Sequence, residues 1–290
     1  MNRIPLATLI RRTGTKRRTF TIRTPEPLQR DRDRLLRMYL RVIRHWEGAR
    51  SRIVAAYERE LGFRDSAIVA DAVGDLSAAI DGEGNWFTRL FAELRAEIEE
   101  WALLTEQWQR GKWSGGVLSA TGVDLETMLY AGDVQQTVEA SIQSNLALIR
   151  DVNDQQSAKM KEAVFRGLNQ RLPARDVARE LSGITGFGRK RSLLIASVEL
   201  QKISTALDTE RQYQAGITQF EYRHSRKLHP RPWHKARDGK IYDLETRKQV
   251  GGDEVIPADD MPGIPIRCGC RKQAHLDLDA MEAELDARGL

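Results

Sequence analysis

Between residues 30 and 214, apolar side chains recur at intervals of three and four. Leu35, Tyr39, Val42, Trp46, Ala49, Ile53, Tyr57 and Leu61 form one such stripe. That spacing places side chains on one face of a helix. Gly62 is the predicted stop of this helix. A second stripe, Trp86, Leu90, Leu94, Ile98, Trp101, Leu104 and Trp108, follows the turn predicted at Asp81-Gly82-Glu83-Gly84, with Glu93, Glu97, Glu99 and Glu100 on other faces. The Gly115-Gly116 pair predicts a break. Tryptophans 86, 101, 108 and 113 crowd this stretch, and tryptophan at helical spacing is a packing signal. Further helices are predicted over about 133–150, 154–170, 175–182 and 189–214. Val134, Val138, Ile142, Leu146 and Ile149 mark the first of them, and Asp176 suits the first turn of the third.

Beyond Gly216 the pattern changes. Phe220 and Tyr222 alternate with polar residues, as in a short strand. Prolines 230, 232, 257, 262 and 265 fall between residues 216 and 275. Asp238-Gly239 and Gly251-Gly252 read as turns. A last helix is predicted from Asp277 to Arg288. The expected fold is mostly α, with long helices in the N-terminal two-thirds and a small, turn-rich α+β module at the C-terminal end. Four parts are expected: an N-terminal arm (1–30), a long-helix region (31–130), a second helical region (131–215) and the small module (216–290).

Composition narrows the class. The chain has 290 residues, 41 % hydrophobic and 30 % charged, enough to bury a core and unlike a disordered chain. It holds no run of about 18 apolar residues, so no membrane partner is expected. Ile4–Ile10 is too short for a secretory signal. Two cysteines cannot form a disulfide framework in a chain this long, so a reducing compartment is expected.

Charge is uneven. The chain's net charge is +5, yet residues 1–30 carry eight basic residues against one acid, Glu26. A basic arm ending at Thr24-Pro25-Glu26-Pro27 is therefore expected, with Arg11, Arg12, Lys16, Arg17 and Arg18 as candidate contacts to nucleic acid. A second basic cluster lies within residues 221–240. There Arg226, Lys227, Arg231 and Lys235 are candidate phosphate contacts, and Tyr222, Trp233 and Tyr242 are interleaved for stacking. A solvated charged surface is the alternative at both places.

Four of the five histidines (224, 229, 234 and 275) and both cysteines (268 and 270) also lie in the small module. Zinc favours four nitrogen and sulfur ligands, and a module with few large apolar residues gains stability from a metal. Cys268, Cys270 and His234 are the candidate zinc ligands, with His229 or another histidine as the fourth. Two structural thiols among surface histidines are the alternative. Gly183-Ile-Thr-Gly-Phe-Gly188-Arg189-Lys190 fails as a phosphate-binding loop, because Arg189 and Lys190 stand where lysine and a hydroxyl are required. His224, His229 and His234 with Asp238 also raise a metal-dependent nuclease, although acids near them are few. A stand-alone nucleic-acid-binding regulator is a third alternative, marked by sequence preference.

Taken in order, Arg231-Pro232-Trp233-His234, Asp238-Gly239-Lys240-Ile241-Tyr242, a proline-bearing loop and Cys268-Gly269-Cys270 resemble the phage Mu F-like head morphogenesis family, the minor capsid proteins of tailed phages. The upstream helix with Ala196, Glu199 and Arg211 and the Ser144–Arg150 stretch are also similar, so the resemblance covers roughly residues 130–275. It departs between the cysteines, where the family usually has arginine and this chain has Gly269, and before Cys268, where Ile266-Arg267 stand. The resemblance implies a non-enzymatic structural protein, made in the host cytoplasm and assembled into the virion head. It implies a portal ring and packaged double-stranded DNA as partners, with major capsid or scaffold protein and sister copies as further candidates.

Overall fold

The computed structural model describes residues 4–65, 72–228 and 230–287. The apolar stripes become four long helices: α2 (Gln29–Asp65), α3 (Ala72–Thr121), α4 (Gln135–Gln170) and α5 (Ala174–Gln214). They are longer than the glycine punctuation predicts. Gly62 lies inside α2, the Asp81–Gly84 turn and the Gly115-Gly116 break lie inside α3, and the four predicted helices after residue 133 merge into two. Isolated glycine costs a helix only about 1 kcal/mol. Continued burial of the stripe, by Leu76 and Ile80 ahead of the expected turn and by Trp113 and Val117 around the expected break, outweighs that cost.

Two units make up the chain. The first comprises Met1–Asp31, Ala102–Ser141 and Ser197–Leu290; the second comprises Arg32–Trp101 and Ile142–Ala196. This division replaces the four consecutive parts expected from sequence, because each long helix contributes one stretch to each unit. The second unit is helical. Three of its buried aromatic residues use their polar handles: Tyr39 Oη donates to Asn145 Oδ1 at 3.0 Å, Trp46 Nε1 to Asn153 Oδ1 at 3.1 Å, and Tyr57 Oη to the Leu172 carbonyl at 2.6 Å. Gly188, which lies between the helices predicted over 175–182 and 189–214, is a packing position inside α5 instead. A Cβ there would lie 2.7 Å from Ile43 Cδ1 and 2.8 Å from Gln156 Nε2.

The first unit holds all the β structure among the described residues. Strands β1 (Thr19–Ile22), β2 (Gln219–Arg223), β3 (Ile241–Asp243) and β4 (Arg271–Asp277) form one antiparallel sheet in the order β1-β4-β2-β3. Two short helices, α1 (Leu6–Arg12) and α7 (Leu278–Ala287), belong to it as well. In β1, β2 and β4 every second residue is buried. One core cluster joins Leu6, Ile10, Phe20 and Ile22 to Trp113, Val117, Leu276 and Leu278.

The basic arm is thereby corrected. Residues 4–22 carry apolar side chains first at helical spacing and then in alternation, and these enter the core while the arginines stay outside. Arg11 pairs with Asp279 and Glu282, and Arg18 with Asp279 at 3.5 Å. Arg17 lies over the Phe20 ring at 5.0 Å. Arg12 and Lys16 are exposed, without a carboxylate partner among the described residues. No helix among the described residues is long and apolar enough to cross a membrane.

Candidate metal centre

The site is built by a hairpin, a short helix and the entry to β4. Tyr222 exchanges backbone hydrogen bonds with the Asp238–Lys240 turn: its N–H donates to the Lys240 carbonyl and its carbonyl accepts from Gly239 N–H, both at 2.8 Å. Gly239 has φ +79°, the left-handed region that glycine occupies without strain. Asp238 Oδ1 accepts the His224 backbone N–H at 2.9 Å and so closes the loop. Within that loop, Pro232 opens helix α6 (Pro232–Ala236), its fixed φ suiting the first helical position. One turn of α6 points His234 inward, where it is 2 % exposed. Cys268 and Cys270 arrive from the other side, just before β4, and both are buried. A Cβ on Gly269 would lie 3.0 Å from Ser225 Cβ and from Lys227 Cε. That crowding favours glycine at this position.

Three ligand-type atoms converge. His234 Nδ1 lies 3.6 Å from Cys270 Sγ and 3.7 Å from Cys268 Sγ, and the three atoms fall within 4.8 Å of one another. Ideal zinc bonds of about 2.3 Å to sulfur and 2.0–2.1 Å to nitrogen, at tetrahedral angles, require an N···S edge of about 3.6 Å. Both observed edges match. The other ring nitrogen, Nε2, bonds Asp260 Oδ1 at 2.8 Å. Asp260 Oδ2 in turn accepts from Trp233 Nε1 at 3.0 Å and Arg237 Nη1 at 2.5 Å. Arg237 then reaches Glu254, which also accepts from Tyr242 Oη at 2.8 Å. A carboxylate on the far nitrogen of a histidine fixes the ring and its tautomer, a common support for metal-binding imidazole.

Electrostatics favour a thiolate. The Cys270 thiol is held well below its ordinary value, first by the hydrogen bond from Cys268 and then, against burial, by the Tyr222 hydroxyl, the Ser225 peptide N–H and His234. The Cys268 thiol is pushed up, because the proton shared by the pair stays on it. Burial works to raise the Asp260 carboxyl, yet hydrogen bonds from His234 and Arg237 hold it below the usual range.

Of the predicted ligands, His234, Cys268 and Cys270 come together, and His229 lies outside the described residues. His224 bonds the Arg226 N–H through Nδ1 at 3.1 Å and is not among the convergent atoms. His275 sits on β4, in register with Gln219 and Thr21. Arg226, Lys227 and Lys235 are exposed and Arg231 is half-buried, with no carboxylate partner among the described residues. Two of them are tied by backbone carbonyls: Lys227 Nζ to that of Arg267 at 2.7 Å, and Arg231 Nη2 to that of Ile266 at 3.2 Å. Asp260, Arg237 and Glu254 are functional supports that sequence reasoning missed. Asp260 follows His234 by 26 residues, and only its place in a short turn after Pro257 (Ala258–Asp260) hints at a fixed carboxylate.

Comparison with known proteins adds one relative. An uncharacterised protein of Haemophilus influenzae is 26 % identical over 166 residues, which cover 57 % of this chain and 35 % of that protein. The matched segment thus spans about a third of the relative's length. No family model and no solved structure matches the chain.

Proposed function

We propose that this chain is a non-enzymatic head morphogenesis protein of a tailed phage. It is a minor capsid component that holds on to a portal ring and to packaged double-stranded DNA. It is made in the host cytoplasm and built into the virion head. Its C-terminal module is pinned by zinc, with His234, Cys268 and Cys270 as ligands and His229 or another histidine as the fourth. Zinc there is structural: it lends folding free energy to a module whose own apolar cluster is small.

The observation that carries this reading is the convergence of the resembled series. Arg231–His234, Asp238-Gly239 and Cys268-Gly269-Cys270, remote in sequence, close on one site: His234 Nδ1 meets both sulfurs and Asp238 locks the loop. Both ring nitrogens of His234 are engaged, one by Asp260 and one by the cysteine sulfurs, which suits a fixed ligand better than a free general base. Arg226, Lys227, Arg231 and Lys235, unneutralised among the described residues, supply cations for phosphates, whose contacts fix position without reading sequence. Arg12 and Lys16 add to them. Sister copies and major capsid or scaffold protein are further partners of a head component.

Co-expression with a portal protein from the same genome tests the reading. Co-purification with the ring, stoichiometric zinc by elemental analysis, and no cleavage of plasmid in Mg²⁺, Mn²⁺ or Zn²⁺ are expected. Plasmid cleavage abolished by His234→Ala would overturn it, as would a metal-free protein whose stability ignores chelators.

A further inference from the structure

We propose that the tip of the C-terminal module is a wedge that enters a groove of duplex DNA and bends it. Leu228 is the inserted side chain, and Arg226, Lys227 and Arg231 are its phosphate anchors. This rests on the contact with packaged DNA proposed above and adds how that contact is made.

Two loops form the tip, residues 224–228 and 264–267, joined by the Lys227–Arg267 hydrogen bond, and Arg231 beside them bonds the Ile266 carbonyl. Arg226 and Arg267 have φ of +53° and +61°. Side-chain-bearing residues hold that backbone only where the surroundings impose it, so the tip has a set shape. Arg226, Lys227, Arg231, Lys235 and Arg267 have no carboxylate partner among the described residues, whereas neighbouring Arg237 holds two. Amid these cations Leu228 is 93 % exposed and Ile266 60 %.

Free cations suit any phosphate surface. An aliphatic side chain set out among them gains only where it meets an apolar surface. A stable protein interface needs about 800 Å² from each partner, and interfacial membrane binding needs a broad apolar face; the exposed aliphatics Leu228, Ile264 and Ile266, set among cations, make neither. Duplex DNA offers an apolar surface of the right width in the gap between two bases, which leucine wedges open in minor-groove proteins that kink DNA.

The full chain would be titrated onto a duplex of about 30 base pairs carrying a donor and an acceptor dye at its ends, over a series of salt concentrations. Wild-type protein should bind without sequence preference and bring the ends closer. Leu228→Ala should lose the approach of the ends and about tenfold or more in affinity, with the salt slope retained. The Arg226→Ala, Lys227→Ala double variant should instead lower the slope of log K against log salt by about two. Wild-type bending preserved in Leu228→Ala would sink the wedge and leave the DNA contact standing. Absence of salt-dependent DNA binding by wild type would remove both. Tighter binding to phosphatidylglycerol vesicles than to the duplex, lost in Leu228→Ala, would reassign the tip to lipid. Leu228 is 93 % exposed, so its replacement should leave the fold intact, and circular dichroism and zinc content check the fold of every variant.

Discussion

Replacing Asp260 by asparagine changes one oxygen to an amide and removes one charge. Three donors meet the native carboxylate: His234 Nε2 at 2.8 Å, Trp233 Nε1 at 3.0 Å and Arg237 Nη1 at 2.5 Å. The asparagine oxygen can satisfy one side of this fork; its NH₂ faces a donor on the other. His234 then loses the partner that keeps Nδ1 free to face the sulfurs. Loss of such a carboxylate costs metal sites about 10- to 100-fold in affinity, or about 1.4–2.7 kcal/mol. Arg237, largely buried, keeps Glu254 at 2.6 Å, so the fold should survive. The assay is competition for zinc against a chromogenic chelator, with Asp259→Asn as a neighbouring control. Asp260→Asn should release zinc at chelator concentrations 10- to 100-fold lower than wild type, and Asp259→Asn should match wild type. Equal affinity in all three proteins would refute the role given to the carboxylate.

Other outcomes follow from the same coordinates. Gly188→Ala overpacks Ile43 and Gln156 and should cost about 1–3 kcal/mol in chemical denaturation. Glu106→Ala leaves Arg211, fully buried and 2.5 Å from Glu106, without its carboxylate, and should cost about 3–5 kcal/mol; a paired Glu106→Leu, Arg211→Met variant should cost less. Burial raises Asp208 to about 7 and lowers Lys272 to about 8. The stability from neutral Asp208 is therefore lost as pH rises from about 4 through 7, and that from neutral Lys272 is lost as pH falls through 8. Denaturation midpoints should dip between pH 7 and 8, and Asp208→Asn should flatten the acid side of the dip.

The helical region was legible because its stripes run unbroken from Leu35 to Tyr57 and from Leu90 to Trp101, and burial follows them residue by residue. Glycines misled. Gly62, Gly82 and Gly115 have no atoms within 4 Å of a would-be Cβ, so they sit on open faces where a helix tolerates them. The arm misled for another reason. Net charge reports arginines that stay at the surface, while Leu6, Ile10, Phe20 and Ile22 decide where the segment goes. At the site, cysteine and histidine are rare enough for their clustering to stand out. Carboxylates are common, and nothing short-range distinguishes Asp260 from Asp259; the long-range fold alone turns one of them toward His234.

The sheet order has a consequence for the timing of folding. Strand β4 lies between β1 and β2 although it is synthesised last of the four. Until residues 271–277 leave the ribosome, β1 has no neighbour and β2 has only β3. Helices whose contacts are local can form during synthesis, but this sheet waits on one late insertion across some 250 residues of sequence, the slow kind of closure. Nascent chains arrested before β4 should therefore expose the Phe20–Ile22 edge to chaperones, and release of that strand should be the step that commits the unit to its native state.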